Sequence, residues 1–546
     1  MGRFNPFYSL LGFIVFLPQL LFLFFFPPKG EAVLYLTLTG LAFYLHLRGK
    51  KDFLNRIVAL FSFLPAVFYT LTHPSVDHLI EDLFFLSVSF IVYLLALGER
   101  RFRTYLYIAL LSLLNLTLVS INFQSLSYGL LLLVYLFLLV YLFLLLALGG
   151  FNLLPQRVYS QLLKYSLLIY GAILVFGTVL FFVLPRPQQP LITLVHKELP
   201  TPAIGFSSDI ELGSFSKVAK DYTVVFRAKL SEKPAELYWR GNTLELFKGG
   251  IWLPYGGSYA SSRPLPNAPK VQEEILLSPY GDRIVFSYLY PVKVINSSER
   301  VFIDRTRGVV KAYRPFTDPV KVKLETTGRI YAVLKDKELL LRVPEELKPL
   351  LGKIVEEYHL KSPYLSSTLK RLSRYFSTFR YSETNRARNI VEFLTLYKEG
   401  NCEYFATAAA LLLRYMGYPT RVVVGFYGGD YNPLTGYYVV RQKDAHAWVE
   451  IYSNHRWIRY DATKFASLAP SIKEELQPRL EKNRLLLFWD TLNTLWMEYV
   501  INLSAAKQAE LAKKLYSSFK EVERGLSPEW LLLLICLLYT SPSPRD

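Results

Sequence analysis

The chain has 546 residues, of which 52% are hydrophobic, 16% aromatic and only 19% charged. Soluble proteins carry about a quarter charged residues, so a wholly soluble chain is excluded. A disordered chain is excluded as well, because it would lack this much apolar mass. Residues 1–184 hold 11 Lys/Arg and 6 Asp/Glu, whereas residues 185–546 hold 51 and 38. The first third therefore predicts a membrane module, and the remainder is long enough for one or two ordinary domains.

Residues 1–184 predict a membrane domain of about seven transmembrane helices. Roughly 20 apolar residues cross a bilayer, and short charged or Pro/Gly-containing breaks separate the candidate spans. The third and fourth spans are short, and Pro65 lies inside the third. The spans are 7–26, 32–47, 57–72, 83–98, 104–121, 127–148 and 165–184.

The charges between the spans predict the orientation. With the N-terminus in the cytoplasm, the inside segments hold ten basic residues and two acidic ones, and the outside loops hold one basic residue and four acidic ones. This is a strong positive-inside bias. Seven spans that start inside leave residue 185 outside, so we expect the polar part on the extracytoplasmic side of a bacterial cytoplasmic (inner) membrane.

The polar part has an excess of 13 basic residues. This charge favours contact with the bilayer's anionic lipid or with acidic wall polymers, although a basic surface without a specific partner explains it equally well. The sequence contains no nucleic-acid-binding module. Its two cysteines, Cys402 and Cys536, exclude a disulfide framework in the polar part, and the sparse histidines lack metal-ligand spacing. We therefore expect no metal and no cofactor.

The polar part divides by composition into four segments. Residues 185–340 predict an extended linker and a β-rich subdomain, with strands at 222–230, 236–240 and 283–290. Residues 341–470 predict a core of mixed helices and strands, with helices at 366–378, 385–399 and 402–416, followed by strands at 420–428, 436–441, 446–452 and 456–461. Residues 471–528 predict a helical segment, and 529–546 a short apolar run with a polar tail.

Two features of the last segments have alternative explanations. The aromatic residues of 484–503 recur at helical spacing, which predicts core packing in preference to a membrane-surface helix. The apolar run at 530–539 is half the length of a span. We interpret 529–546 as a truncated C-terminal transmembrane segment with an artefactual tail.

The candidate nucleophile is Cys402, which opens the helix predicted at 402–416, with Asn401 as its N-cap. The positive end of the helix dipole and the unpaired backbone N–H groups there should lower the pKa of a thiol. The same N–H groups can stabilise an oxyanion. A lone cysteine is often only a small buried apolar residue, but this is the only thiol in a domain expected outside the cell.

A histidine and an aspartate complete the candidate site. His446 lies on one predicted strand, and Asp461 lies at the end of the next, so an antiparallel pairing would let Asp461 orient the imidazole. Each residue alone has a structural explanation, as a hydrogen-bonded histidine or a turn aspartate. The ordered set Cys402, His446 and Asp461 is much less common by chance. Asp444 is the reserve candidate for the third position.

The sequence resembles the transglutaminase-like family, in particular its bacterial membrane-anchored members. The likeness is carried by Gly400-Asn-Cys-Glu-Tyr-Phe-Ala, Tyr418-Pro-Thr-Arg-Val-Val-Val-Gly-Phe, the segment Gly436–Glu450 and Arg459-Tyr-Asp-Ala-Thr, with Tyr238-Trp-Arg-Gly outside the core. Ala462 stands where the family commonly has proline. The resemblance implies an α+β papain-like fold, with Cys402 as nucleophile, His446 as base and acid, and Asp461 as orienting carboxylate. It leaves the side-chain oxyanion donor unassigned.

The implied function is acyl transfer by a membrane-anchored cysteine enzyme, through a thioester formed from a glutamine carboxamide or peptide amide. The acceptor is an amine or water, so a cysteine protease or amidase shares the same chemistry. The expected partner is a protein or peptide of the cell envelope. The alternative from another class is a non-catalytic binding or scaffold module, for which a free thiol outside the cell has no use.

Overall fold

The computed structural model describes residues 5–25, 29–49, 52–73, 79–120, 126–149, 152, 154–183, 210–316, 319–467, 484–502, 513 and 517. These residues fall into two compact units, divided near residue 197 and again near residue 502. The predicted linker at 185–209 and the C-terminal run at 529–546 lie outside the described residues.

The first unit is built from apolar helices. Seven segments in the described part of the chain are long and apolar enough to span a membrane, as predicted. The third is broken into two helices at Ser62 and Phe63, next to Pro65, which lies in the first turn of the second helix. The helices are α1 (Pro6–Phe25), α2 (Lys29–Arg48), α3 (Phe53–Phe61), α4 (Leu64–Thr72), α5 (Leu79–Leu97), α6 (Phe102–Ser120), α7 (Leu126–Ala147) and α8 (Gln156–Val183).

Buried polar side chains join these helices to one another. The Tyr35 hydroxyl on α2 bonds to Ser89 on α5 at 2.8 Å, and Thr39 donates to Gln19 on α1 at 3.0 Å. A polar group in an apolar interior must be hydrogen-bonded to be tolerated. These pairs therefore fix which helix faces meet.

Within residues 210–316 and 319–334, which the structure describes, the second unit has thirteen strands, as the β-rich prediction for this region requires. They are β1 (Ile210–Glu211), β2 (Val224–Leu230), β3 (Tyr238–Leu244), β4 (Leu246–Lys248), β5 (Ile251–Leu253), β6 (Ala260–Pro264), β7 (Val271–Leu277), β8 (Ile284–Val285), β9 (Tyr290–Ser297), β10 (Val301–Asp304), β11 (Val309–Ala312), β12 (Val320–Thr327) and β13 (Ile330–Leu334).

Helices and further strands follow in the order predicted. They are α9 (Lys348–Glu357), α10 (Leu365–Phe376), β14 (Arg380–Tyr381), α11 (Ile390–Glu392), β15 (Glu399–Gly400), α12 (Cys402–Tyr415), β16 (Thr420–Tyr427), β17 (Asp430–Asn432), β18 (Tyr437–Arg441), β19 (Ala445–Ser453), β20 (Arg456–Tyr460) and α13 (Arg484–Leu495).

Two predicted elements are wrong in extent. The segment predicted as one strand at 283–290 is strand only at Ile284–Val285, with an isolated bridge from Ser287 to Arg240, before β9 begins at Tyr290. The helix predicted at 385–399 contains only Ile390–Glu392 in α form, followed by a π-helical turn at Phe393–Tyr397. The helix starts later than predicted because Asn389 is its N-cap, with a side chain that accepts the Glu392 N–H. The hydrophobic periodicity of the segment did not reveal this cap.

The two main sheets combine strands from both sides of residue 340. The order β17-β18-β2-β7-β12-β9 forms one sheet, and β20-β19-β16-β3 forms the other. The buried helix α12 packs against β19 and β16 of the second sheet. Its alanines at 406, 408, 409 and 410 are all buried, and such small side chains allow close contact between helix and sheet.

The prediction that the aromatic residues of 484–503 pack in a core is wrong for helix α13. Asp490 and Thr494 are its buried residues, while Phe488 is 58% and Trp489 41% exposed. Asp490 forms a buried ion pair with Arg227 on β2 at 2.7 Å and accepts from Asn432 at 2.8 Å. Polar contacts therefore hold this helix, since a buried arginine requires a charged partner.

Gly425 lies at the point where β16 passes closest to β3. It faces His446 in the ladder with β19, and a β-bulge follows Val424 in the ladder with β3. A Cβ at this position would lie 2.0 Å from the carbonyl oxygen of Trp239.

We expect Gly425→Ala to destabilise the protein by about 2 kcal/mol, because the backbone of β3 must move away from β16. The measurement is thermal unfolding of the detergent-solubilised chain by tryptophan fluorescence. Gly256→Ala is the matched control, since a Cβ there meets nothing within 4 Å. Equal unfolding temperatures for the two variants would contradict the prediction.

Candidate active site

Cys402 is the first residue of α12 and lies at the base of a cleft. The side chain of Asn401 accepts the backbone N–H of Glu403 at 3.2 Å, which starts the helix as predicted. Cys402 is only 2% exposed. The cleft is lined by Phe215, Ser216, Ala219, Tyr381, Glu383, Asn401, Cys402, Tyr427, Lys443, Asp444, Ala445, His446, Asp461, Thr463 and Lys464.

The structure brings the three predicted residues together. His446 is the second residue of β19, and Asp461 directly follows β20, its antiparallel neighbour. His446 Nε2 lies 2.8 Å from Asp461 Oδ2. The imidazole is also close enough to the Cys402 thiol for the two groups to shift the pKa of each other. The structure thus brings the thiol, the imidazole and the carboxylate together in one site.

Asp461 is held by more than His446. Its Oδ1 accepts from the backbone N–H and the hydroxyl of Thr463 at 3.1 and 2.6 Å. Its Oδ2 also accepts from the Tyr238 hydroxyl at 2.7 Å. A buried carboxylate needs this full set of donors to remain ionised.

Burial and charge act against each other on the aspartate and the histidine. Although burial would raise it, the charge and hydrogen bond of His446 lower the pKa of Asp461 to about 2. Although burial would lower it, the Asp461 carboxylate raises the pKa of His446 to about 10. The pair therefore favours the imidazolium form of His446 at neutral pH.

The prediction of a lowered thiol pKa is wrong in sign. Burial raises the pKa of the Cys402 thiol, against hydrogen bonds from His446 and from the Ala447 backbone N–H. The helix start alone does not outweigh the loss of solvent around a buried sulfur. The imidazolium of His446 is therefore the main group that stabilises the thiolate.

Asp444, the reserve candidate, forms its described bonds within its own turn. Its Oδ2 accepts the backbone N–H of Arg441 at 2.8 Å, and its Oδ1 pairs with Lys443. The short 3₁₀ turn at Gln442–Asp444 directs this carboxylate back to its own turn.

Tyr238 is the site residue that the sequence analysis did not assign. It lies on β3, 223 residues before Asp461, and the guanidinium of Arg459 lies 3.9 Å from its ring centre. Tyr238 belongs to the Tyr-Trp-Arg-Gly motif that carried the family resemblance. That motif was the available signal, but only the pairing of β3 with β16 shows its connection to Asp461.

A buried charge network supports the same sheet. Glu450, in the buried part of β19, pairs with Arg240 on β3 and with Arg421 on β16, the latter at 2.8 Å. The Tyr290 hydroxyl donates to Glu450 at 2.7 Å. Although burial would raise it, the two arginines lower the pKa of Glu450. Three neighbouring strands are thereby joined by side chains as well as by backbone.

In the described residues no group of three or more His, Cys, Asp or Glu side chains is arranged to hold a metal ion.

The α+β fold, with a cysteine at the start of a buried helix and a His–Asp pair on the facing sheet, defines a transglutaminase-like protein. Residues 353–462 match the model of the transglutaminase-like superfamily. Residues 9–321, more than half of the chain, match the TgpA N-terminal domain. The chain belongs to the TgpA family, which confirms the predicted resemblance and fold class.

Two curated proteins are similar in sequence. A protein-glutamine gamma-glutamyltransferase of Pseudomonas aeruginosa strain PAO1 is 24% identical over 359 residues, which cover 59% of this chain and 53% of the relative. The uncharacterized protein YebA of Bacillus subtilis strain 168 is 27% identical over 155 residues, which cover 26% of this chain and 21% of the relative. The chain thus spans about half the length of the first relative and about a fifth of the second.

Solved structures of the periplasmic domain of TgpA from Pseudomonas aeruginosa are also similar. The domain bound to ethylmercury is 22% identical, with a TM-score of 0.44, and the match covers 50% of this chain and all of that one. The structure without ethylmercury gives the same TM-score and identity.

We expect Asp461→Asn to lower the pKa of His446 from about 10 to below the ordinary histidine value, because burial then acts without the opposing carboxylate. The measurement is an NMR titration of protein labelled with ¹³C at the histidine Cε1. His446→Gln identifies the resonance. A His446 pKa that stays near 10 in the variant would show that Asp461 is not the group that raises it.

Proposed function

We propose that the protein is a membrane-anchored, extracytoplasmic cysteine acyltransferase. It forms a thioester from a glutamine carboxamide and passes the acyl group to an amine or to water. The observation that carries the proposal is the hydrogen-bonded His446–Asp461 pair beside the Cys402 thiol, with all three residues lining one cleft. The name of the Pseudomonas relative, a glutamine gamma-glutamyltransferase, supports glutamine as the acyl donor.

In the first step the Cys402 thiolate attacks the carboxamide carbon. The carbonyl oxygen gains the negative charge, and backbone N–H groups at the start of α12 stabilise it. The Glu403 N–H already bonds to the Asn401 side chain. The Cys402 N–H is therefore the first choice, since the first residue of a helix has no partner within that helix.

His446 then moves the protons. Its imidazolium donates a proton to the leaving nitrogen, and the C–N bond breaks. Ammonia leaves, and the acyl group remains on Cys402 as a thioester. The neutral imidazole next takes a proton from the incoming amine or water, which attacks the thioester and releases the thiolate. Asp461 keeps Nε2 of the imidazole engaged, so the other ring nitrogen is available to the sulfur.

A scaffold role without turnover accounts less well for this arrangement. The ionised carboxylate of Asp461 is buried and receives hydrogen bonds from Tyr238, Thr463 and His446. Such an arrangement positions one imidazole against one thiol. A binding module would gain as much stability from apolar side chains in the same places.

We expect Cys402→Ala to abolish turnover without unfolding the protein, because the thiol fills little core volume. The measurement follows incorporation of a fluorescent primary amine into dimethylcasein, together with ammonia release. Cys536→Ala is the control, as it removes the only other thiol.

Asp461→Asn should retain weak activity, since the orienting residue of a triad is the least costly to lose.

Ammonia release without amine incorporation would identify a hydrolase that uses water as the acceptor. Turnover that survives Cys402→Ala would refute the assignment as a whole.

We also expect residues 210–502 to face the cell exterior, because of the positive-inside bias of the spans. In a chain without its two natural cysteines, Glu299→Cys should react with a membrane-impermeant maleimide in intact spheroplasts. Glu99→Cys, in an exposed loop between the fourth and fifth spans, should react only after lysis. The reverse pattern would invert the topology.

A further inference from the structure

One wall of the cleft comes from a segment almost 200 residues before the nucleophile. The 3₁₀ turn at Ser214–Lys217 follows β1, and Phe215, Ser216 and Ala219 line the same cleft as Cys402. The mechanism proposed above assigns no role to this turn.

A buried carboxylate beside the nucleophile holds the turn. Glu403 accepts the backbone N–H of Gly213 at 2.8 Å and that of Phe215 at 3.2 Å, and it is only 4% exposed. Gly213 has φ of 95°, a conformation that favours glycine. The turn is therefore fixed to the first turn of α12, and its position relative to Cys402 is set.

The hydroxyl of Ser216 accepts two hydrogen bonds whose directions are determined. The Oδ1 atom of Asn385 accepts a hydrogen bond from the backbone N–H of Asn401 at 2.9 Å. The other end of this side-chain amide, Nδ2, therefore donates to the Ser216 hydroxyl, at 2.8 Å. Asn401 accepts the Glu403 N–H through Oδ1, so its amide nitrogen also donates to Ser216, at 3.3 Å. Both lone pairs of the Ser216 oxygen are then occupied.

An oxygen that accepts twice can form a further hydrogen bond only as a donor. Among the described residues the Ser216 hydroxyl donates to no acceptor, and Ser216 is half-buried in the cleft lining. Because the two asparagines occupy its acceptor positions, the Ser216 hydroxyl is set to donate its proton to a molecule bound in the cleft. A carbonyl oxygen is the acceptor that an acyl donor brings there.

We propose that Ser216 is a substrate-binding residue whose hydroxyl donates a hydrogen bond to the carbonyl oxygen of the acyl-donor amide, with Asn385 and Asn401 directing that hydroxyl. The inference rests on the proposed function. It gives the cleft a side-chain donor in addition to the backbone N–H groups of α12.

The test uses a peptide that carries a diazomethyl ketone in place of the glutamine carboxamide. The Cys402 sulfur displaces dinitrogen from this probe, the thiol proton goes to the carbon, and a thioether forms next to an intact carbonyl. Inactivation of the full-length Cys536→Ala protein is followed at several probe concentrations, which gives KI and kinact separately. Neither an acceptor nor turnover is needed.

We expect Ser216→Ala to lower kinact/KI about tenfold, the loss that follows from one hydrogen bond. Ser214→Ala is the matched control: it lies in the same turn, its hydroxyl donates to the Glu211 carbonyl, and it is not part of the cleft lining described above. Ser216→Thr, which keeps the hydroxyl, should restore the wild-type value. Methyl methanethiolsulfonate, which has no carbonyl group, should react equally fast with the wild type and Ser216→Ala.

Equal inactivation of Ser216→Ala and the wild type would overturn this inference alone. A matching loss with methyl methanethiolsulfonate would also overturn it, because Ser216 would then act on the thiol and not on the substrate. A wild-type protein that resists the glutamine mimic but reacts with methyl methanethiolsulfonate would refute the proposed glutamine substrate, and this inference with it.

Discussion

The buried hydrogen bond between Asp461 and His446 is the interaction on which the candidate site depends. A carboxylate that is 6% exposed remains ionised only when donors surround it. Thr463, Tyr238 and His446 supply those donors, from its own turn and from two strands. The charge retained on Asp461 keeps the imidazole protonated, and the imidazolium offsets the cost of burying a thiolate at Cys402.

This dependence explains the arrangement of the sheet behind the site. Tyr238 reaches Asp461 only if β3 lies beside β16 and β16 beside β19. Gly425 permits that approach, because any side chain there would meet the backbone of β3. On the same three strands, Glu450 is shared between Arg240 and Arg421. Breaking one such buried pair would leave an uncompensated charge, so the network resists sliding of one strand past another.

The cleft is assembled by a second set of polar contacts at the other side of the thiol. Glu403, adjacent to Cys402 in sequence, accepts two backbone N–H groups of the 213–215 segment. Burial raises the pKa of Glu403 to about 7, against the hydrogen bonds it accepts. Asn401 both caps α12 and contacts Ser216. The first turn of one helix therefore positions Cys402 and one wall of its cleft together.

The sequence by itself determined the class of this protein and the identity of its three central residues. Apolar length predicted the seven spans, and the order Cys402, His446, Asp461 on a helix start and two strands was recognisable because each signal is local. Only the tertiary structure decided the sign of the thiol pKa shift, the bonding of Asp444 within its own turn, the contacts of Tyr238 and Ser216, and the polar attachment of α13. These depend on contacts between residues far apart in the chain, and on how much solvent those contacts exclude. No local pattern encodes either quantity.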